Sequence, residues 1–470
     1  MKYLKTKCQK ALNLLKIVSH MDWGADRKTL LRLYRALIRS KLDYGCIVYG
    51  SARPSYVKIL DTIHNQGLRL CLGAFRTSPM ESLYVEANEP SLYNRREQLS
   101  LQYAIKLKSN PQNPTYQDTF HPKFTTSFEN KPNAIPTFGI RIQQLLNNMN
   151  LNINHIVTNS IPARPKWDMK IPIIRYDLHS SKKTDTNPNI FIAKFAEIKQ
   201  EYHTFKFIYT DGSKKDNRVG SAAVMGRGSW TERLPDEASI FTAELRAILL
   251  AFQYIKRSIH NRFVICTDSL SSLQAIGGLL LDNSIILDII NSYTNIVNGG
   301  KTVIFCWLPS HIGIEGNEKA DAAANLALQL NISRIKIPHS DFKHTIKAHY
   351  IQKWQQHWDD QNLNKLHSVK PVLGEWLTGP LKRREELVLS RAHIGHTYLT
   401  HKYLLAGEDP PFCVSCHQSL TVEHIFLHCV EFDDIRDGLF NVASLDELFR
   451  DINPKVIFQF LREAGLYHLF

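Results

Sequence analysis

A mixed α/β domain in the middle of the chain, set between two mainly helical regions, is the fold class that three observations predict. Between Phe205 and Leu330 the pattern runs strand, strand, strand, helix, strand, helix, helix, strand, helix. A meander followed by alternating elements calls for a mixed sheet flanked by helices. On either side of it, apolar residues recur at helical spacing. At 470 residues and 43% apolar composition, the chain has room for about three units of roughly 100 to 200 residues.

Residues 1–110 read as a compact helical block, in which Leu30, Leu31, Leu33, Tyr34, Leu37 and Ile38 form one apolar stripe and Val57, Leu60, Ile63, His64, Leu68 and Cys71 another. Residues 111–200 turn to Pro and Asn, with Pro111, Pro114, Pro122, Pro136, Pro165 and Pro172. They read as a loosely structured connector with a short helix near Ile140 to Asn148. In residues 201–331, Phe205 to Thr210 is a strand running into a turn at Asp211-Gly212. Val219 to Met225 and Gly228 to Leu234 complete an antiparallel meander. Ser239 to Ser258 is a long amphipathic helix, Phe263 to Thr267 a short apolar strand, and Ser269 to Ile276 and Asp282 to Val297 are helices. Thr302 to Trp307 is the last strand and Gly316 to Leu330 the last helix. Residues 332–470 are again mainly helical, interrupted by a Cys/His cluster at about 413–429.

The net charge of +14 suggests a polyanionic partner. Its distribution is uneven: residues 1–200 hold 30 basic against 14 acidic side chains, while residues 201–331 hold 12 against 13. The basic excess thus lies upstream of the predicted sheet. No dense basic run stands out, so scattered solvated surface is the competing reading. No apolar run is long enough for a membrane span, and Lys2, Lys5, Lys7, Lys10 and Lys16 are spread through the N-terminal segment Met1 to Val18 rather than set before an apolar block. An intracellular, soluble protein is expected, with nucleus or cytoplasm left open. Eight scattered cysteines are too few for a disulfide scaffold.

Three acidic residues sit where a sheet-based metal site would place them. Asp211 and Asp268 end neighbouring strands, and Glu244 lies in the first turn or so of the long helix; Asp321 arrives from the final helix. Carboxylates at adjacent strand ends converge on one edge of a sheet, where hard divalent cations can be shared. Two such cations activate an attacking water and stabilise the leaving oxygen of a phosphodiester, with no nucleophilic side chain required. Taken singly, each acid has an ordinary reading: Asp211 as a turn former, Asp268 as a helix cap, Glu244 and Asp321 as exposed helix residues.

Taken together, Tyr209-Thr210-Asp211-Gly212-Ser213, Thr242-Ala243-Glu244-Leu245, Cys266-Thr267-Asp268-Ser269, and Trp307-Leu308-Pro309-Ser310-His311 through Gly316-Asn317-Glu318-Lys319-Ala320-Asp321 resemble, in order, the four motif blocks of the type 1 ribonuclease H family. The resemblance spans about 130 residues. It implies a ribonuclease H-like five-stranded mixed sheet with flanking helices, two Mg2+ (or Mn2+) ions, and an endonuclease that hydrolyses the RNA strand of RNA–DNA hybrids. Carried over by position, Asp211, Glu244, Asp268 and Asp321 become the metal ligands, and His311 the mobile-loop histidine that assists product departure or proton transfer. Ser213, Ser269 and Asn317, polar and next to the ligands, are candidates to touch phosphates or the 2′-hydroxyl that marks RNA. One departure stands out: the helix Asp282 to Val297 has no Lys or Arg, so the family's basic substrate-gripping protrusion is missing and grip must come from elsewhere.

Cys413-x2-Cys416-x7-His424-x4-Cys429 has the spacing of a zinc knuckle, in which three thiolates and one imidazole close a tetrahedral structural site. His417 and His428 offer competing ligands. The block order is similar to the carboxy-terminal part of a jockey-like non-LTR retrotransposon polyprotein: a helical region that follows a polymerase palm (Leu42-Asp43-Tyr44-Gly45 to Arg69), then ribonuclease H, then the knuckle. That implies a fragment lacking the palm, with a polymerase module of the same element as a partner. Phe432-Asp433-Asp434 lies beyond the knuckle without flanking strands, which counts against a full reverse transcriptase. A catalytically idle, nucleic-acid-binding remnant is the alternative to an active hydrolase.

Overall fold

The computed structural model describes residues 1–470 apart from Phe124, Lys131, Pro132, Asn133, Ser160, Ile161, Ala163, Ser181, Lys182, Leu377 and Thr378. The chain divides into two compact units: Met1–Ser100 with Thr126–Pro136 and Lys347–Phe470, and Leu101–Thr125 with Thr137–Ile346. Among the described residues, no helix is long and apolar enough to cross a membrane.

The second unit is built on a six-stranded sheet. Its strands are β1 (Ile173–Arg175), β2 (Lys206–Lys215), β3 (Arg218–Met225), β4 (Gly228–Leu234), β5 (Arg262–Thr267) and β6 (Thr302–Trp307), in the order β1-β6-β5-β2-β3-β4. The pairs β1·β6, β6·β5 and β5·β2 are parallel, while β2·β3 and β3·β4 are antiparallel. Successive side chains of a strand face opposite ways, so Phe263 and Ile265 of β5 enter one core while Val264 and Cys266 enter the other. Burial on both faces explains why β5 and β6 are continuous apolar runs rather than alternating ones.

Five helices position the site: α1 (Pro188–Glu201), α2 (Ile240–Arg257), α3 (Leu270–Gly277), α4 (Ser284–Asn298) and α5 (Glu315–Ala327). α2 and α4 cover one face through Leu245, Ile248, Phe252, Ile286, Ile289 and Ile290. α1 and α5 cover the other, where Phe191, Phe195 and Ile198 pack with Tyr209, Leu308, Ile312, Ile314 and Ala320. The Ser239 side chain caps α2 by accepting the Thr242 N–H, and Asp341 in turn accepts from the Ser239 N–H and hydroxyl. α5 approaches β3 closely: a Cβ on Gly220 would stand 2.5 Å from the Ala324 carbonyl oxygen. Ala320, Ala324 and Ala327 are the buried small residues that make this approach possible.

The mixed sheet flanked by helices is the expected fold class, with three differences of detail. A sixth strand, β1, comes from the segment read as a connector. That segment also holds α1, and its short helix spans Phe138–Met149. Finally, Asp211-Gly212 is no turn, because β2 runs on to Lys215 and reverses at Asp216 and Asn217, with φ of +48° and +61°.

The first unit is helical, including Lys2–Val18, Arg27–Tyr34, Pro54–Leu72, Arg383–Ile394 and Pro454–Glu463. One core joins residues from both ends of the sequence, among them Leu12, Tyr34, Leu60, Leu68, Trp358, Val388, Phe426 and Phe458. The stripe predicted at Val57, Leu60, Ile63, His64, Leu68 and Cys71 is buried throughout.

Candidate active site

Asp211 lies within β2, one residue beyond the last parallel pair, Thr210 with Thr267. Asp268 follows β5 directly, so the two carboxylates stand side by side where the parallel part of the sheet stops. Glu244, in the second turn of α2, joins them because Gly212 lets the helix close in: a Cβ on Gly212 would lie 2.7 Å from the Glu244 nitrogen and 2.9 Å from Ala243 Cβ. Ligand oxygens of Asp211, Glu244 and Asp268 lie within 4.8 Å of one another. Asp321, from α5, faces Asp211 and Asp268 closely enough for its charge to act on both.

Burial, then the charges of Asp268 and Asp321, push Asp211 up to about 8. Burial, then Asp211 and Asp268, hold Glu244 well above the usual carboxylate range. Burial also raises Asp268, opposed by a hydrogen bond from Asn317 and the nearby His311. These acids therefore resist ionising together, a deficit that a divalent cation removes. The donor set fits such a cation: it is all oxygen, and Glu244 Oε2 is buried with no hydrogen-bond partner among the described residues.

Each of the other predicted residues has a definite place. Asn317 is buried, and its amide donates to Asp268 Oδ2 at 3.4 Å. Ser213 donates to Asn325 Oδ1 at 2.7 Å, and Asn325 donates to Asp321 Oδ1 at 3.0 Å. The Ser269 hydroxyl, at the cap of α3, donates to Ser272 at 2.8 Å. His311 is exposed on the loop between β6 and α5, clustered with Glu318 and Asp321.

Sequence reading passed over Asn325, Glu318 and Trp307 as site residues. Trp307 Nε1 donates to the Asp268 carbonyl oxygen at 3.1 Å. Asn325 and Glu318 lie four residues after and three before Asp321 on a helix, the spacing that puts side chains on one face, and that was the signal available.

In the first unit, Cys413, Cys416, His424 and Cys429 also lie within 4.8 Å of one another. Cys429 Sγ is 3.8 Å from each of the other two sulfurs, and both ring nitrogens of His424 are buried without partners among the described residues. His417 and His428 stand outside the cluster. The set is compatible with zinc.

A comparison with curated proteins finds no match. Residues 203–329, which carry all four carboxylates and His311, match the family model described as RNase H, and sheet, site and match together identify this segment as an RNase H domain.

Proposed function

We propose that residues 203–329 hydrolyse the RNA strand of RNA–DNA hybrids at Asp211, Glu244, Asp268 and Asp321. The observation that carries the reading is the buried Glu244 Oε2, without a hydrogen-bond partner among the described residues, inside a set of acids that repel one another. Two divalent cations, when bound, supply an activated water and charge for the leaving oxygen. The chain's own groups do the rest. Asn317 and Trp307 fix Asp268 from its side chain and its backbone, and Asn325 fixes Asp321. His311 moves the proton that the departing product needs, and Ser213 and Ser269 are placed to meet phosphate or 2′-hydroxyl groups.

The test is cleavage of a labelled hybrid in magnesium by the full chain and by Asp268→Asn. The amide keeps the shape but not the ligand charge, so cleavage should fall by about 10²–10³-fold or more, the scale of losing one preorganised electrostatic contact, with hybrid binding retained. Equal rates would remove the metal-site assignment, and an inactive wild-type chain would favour the idle remnant.

The Cys413, Cys416, His424 and Cys429 set holds one structural zinc in this proposal, supported by the clustering of its ligand atoms. The block order further supports a jockey-like retrotransposon origin, with a polymerase module of the same element as partner. Reverse-transcription products of that element should then keep uncut hybrid when the Asp268→Asn chain replaces the wild type.

A further inference from the structure

His311 is exposed, while Leu308, Ile312 and Ile314 around it are buried. Its φ is +48° and that of Gly313 is +85°. A non-glycine residue in the left-handed region costs of order 1 kcal/mol or more and persists only where its surroundings impose it. Two groups meet on this loop at Gly313. The Gly313 N–H donates to Glu318 Oε1 of α5 at 3.3 Å. From α1, Ile192 Cδ1 lies 3.7 Å from where a Cβ of Gly313 would be. Glu318 stands with His311 and Asp321 in a cluster whose ligand atoms lie within 4.8 Å.

We propose that Glu318 and Ile192 clamp the loop at Gly313 and thereby fix where His311 stands over the carboxylates. Glu318 is then a positioning residue acting through His311. α1, which precedes the segment matching the RNase H family, is a working part of the nuclease rather than a tether. The surroundings favour this role: α1 shares its core with Leu308, Ile312 and Ile314, and the His179 ring packs edge-on against Trp307 at 5.3 Å. The inference rests on the hydrolase reading above and on the role of His311 within it.

The experiment uses the full chain, a labelled hybrid and magnesium, with the variants His311→Ala, Glu318→Ala, Glu318→Gln, Ile192→Ala and the double variant His311→Ala/Glu318→Ala. His311→Ala should lower kcat by about 10²-fold or more, the range of a lost proton-transfer group, and Glu318→Ala should lower it in the same direction, each with little change in KM. The double variant should be no slower than His311→Ala alone, because residues acting as one unit are not additive. Glu318→Gln should keep most of the rate, since its amide oxygen accepts the same N–H. Ile192→Ala should slow the chain only while His311 is present. A double variant slower than His311→Ala by the whole Glu318→Ala factor would overturn the clamp, as would Glu318→Gln as slow as Glu318→Ala. Hydrogen exchange at the Gly313 amide is the second readout: faster exchange in Glu318→Ala supports the clamp, and unchanged exchange sinks it. A wild-type chain that leaves hybrid uncut refutes the hydrolase reading instead, and Gly313 exchange still judges the clamp.

Discussion

Asp211 shows how the site proposed above would set one side chain against stability. In the unfolded chain it ionises near the usual 3.8, whereas burial and the neighbouring acids push it up to about 8 in the fold. A raised folded pKa gives stability that is fully present below about pH 4 and lost as pH rises toward 8. The metal-free protein should therefore lose thermal stability across that window, and Asp211→Asn should flatten the loss. At pH 7 the variant should be more stable by about 1–3 kcal/mol, read by denaturant titration in chelator, since each tenfold change in an acid's ionisation equilibrium is worth about 1.4 kcal/mol. An unchanged pH dependence would mean that the acid is far less perturbed than its surroundings imply. The carboxylates were legible in the sequence because each motif ties its acid to a strand end or helix turn. The roles of Asn325 and Glu318 were not, because polar residues on a helix face look the same whether they hold a ligand or face water.

Among elements, β2 best shows where sequence signals mislead. Asp-Gly is a strong hairpin signal, yet here the glycine serves a close approach of α2, and the hairpin closes further on, at Asp216-Asn217. Gly212→Ala tests this directly. Its methyl would meet the Glu244 nitrogen at 2.7 Å and Ala243 Cβ at 2.9 Å, so α2 must shift. The change should cost about 1–3 kcal/mol in stability, the usual range for overpacking, and cleavage should fall further than stability explains. Retained cleavage with an unmoved helix would refute the close-approach argument. α1 carried readable signals that a Pro/Asn-rich context obscured: the Asn187 side chain accepts the Asn189 N–H as a cap, Pro188 opens the helix, and Phe191, Phe195 and Ile198 repeat on one face. β1, three residues long, had no periodicity to read. The Cys/His set is an element-scale test as well. Protein purified without chelator should carry about one zinc per chain by elemental analysis, lost in Cys413→Ser/Cys416→Ser. Because Val422, Ile425 and Phe426 beside it belong to the helical core, its loss should also lower the melting temperature of the first unit.

At the scale of the molecule, the basic excess of residues 1–200 beside a near-neutral RNase H segment leads us to propose that substrate grip lies largely outside the catalytic block. Phosphate neutralisation releases counterions, so hybrid affinity measured in calcium should fall steeply with salt, with a slope of roughly −0.7 to −0.9 per phosphate contacted. Lys28 and Arg32 form no ion pair among the described residues, and Lys28→Gln/Arg32→Gln should make that slope shallower; an identical slope would leave these two as ordinary solvated surface. The division read from the sequence, into 1–110, 111–200, 201–331 and 332–470, followed composition, and composition carries no signal of which helices share a core. In the fold, residues as far apart as Leu12 and Phe458 do share one. During synthesis this has a temporal consequence. The nuclease sheet is complete once the ribosome has passed β6 and α5, and it is free to fold while the rest is being made. The helices of residues 1–100 are made before that sheet and pack partly on one another, but the core they share is complete only when residues 354–470 have emerged. Residues 1–100 are thus made before that sheet yet complete their core after it.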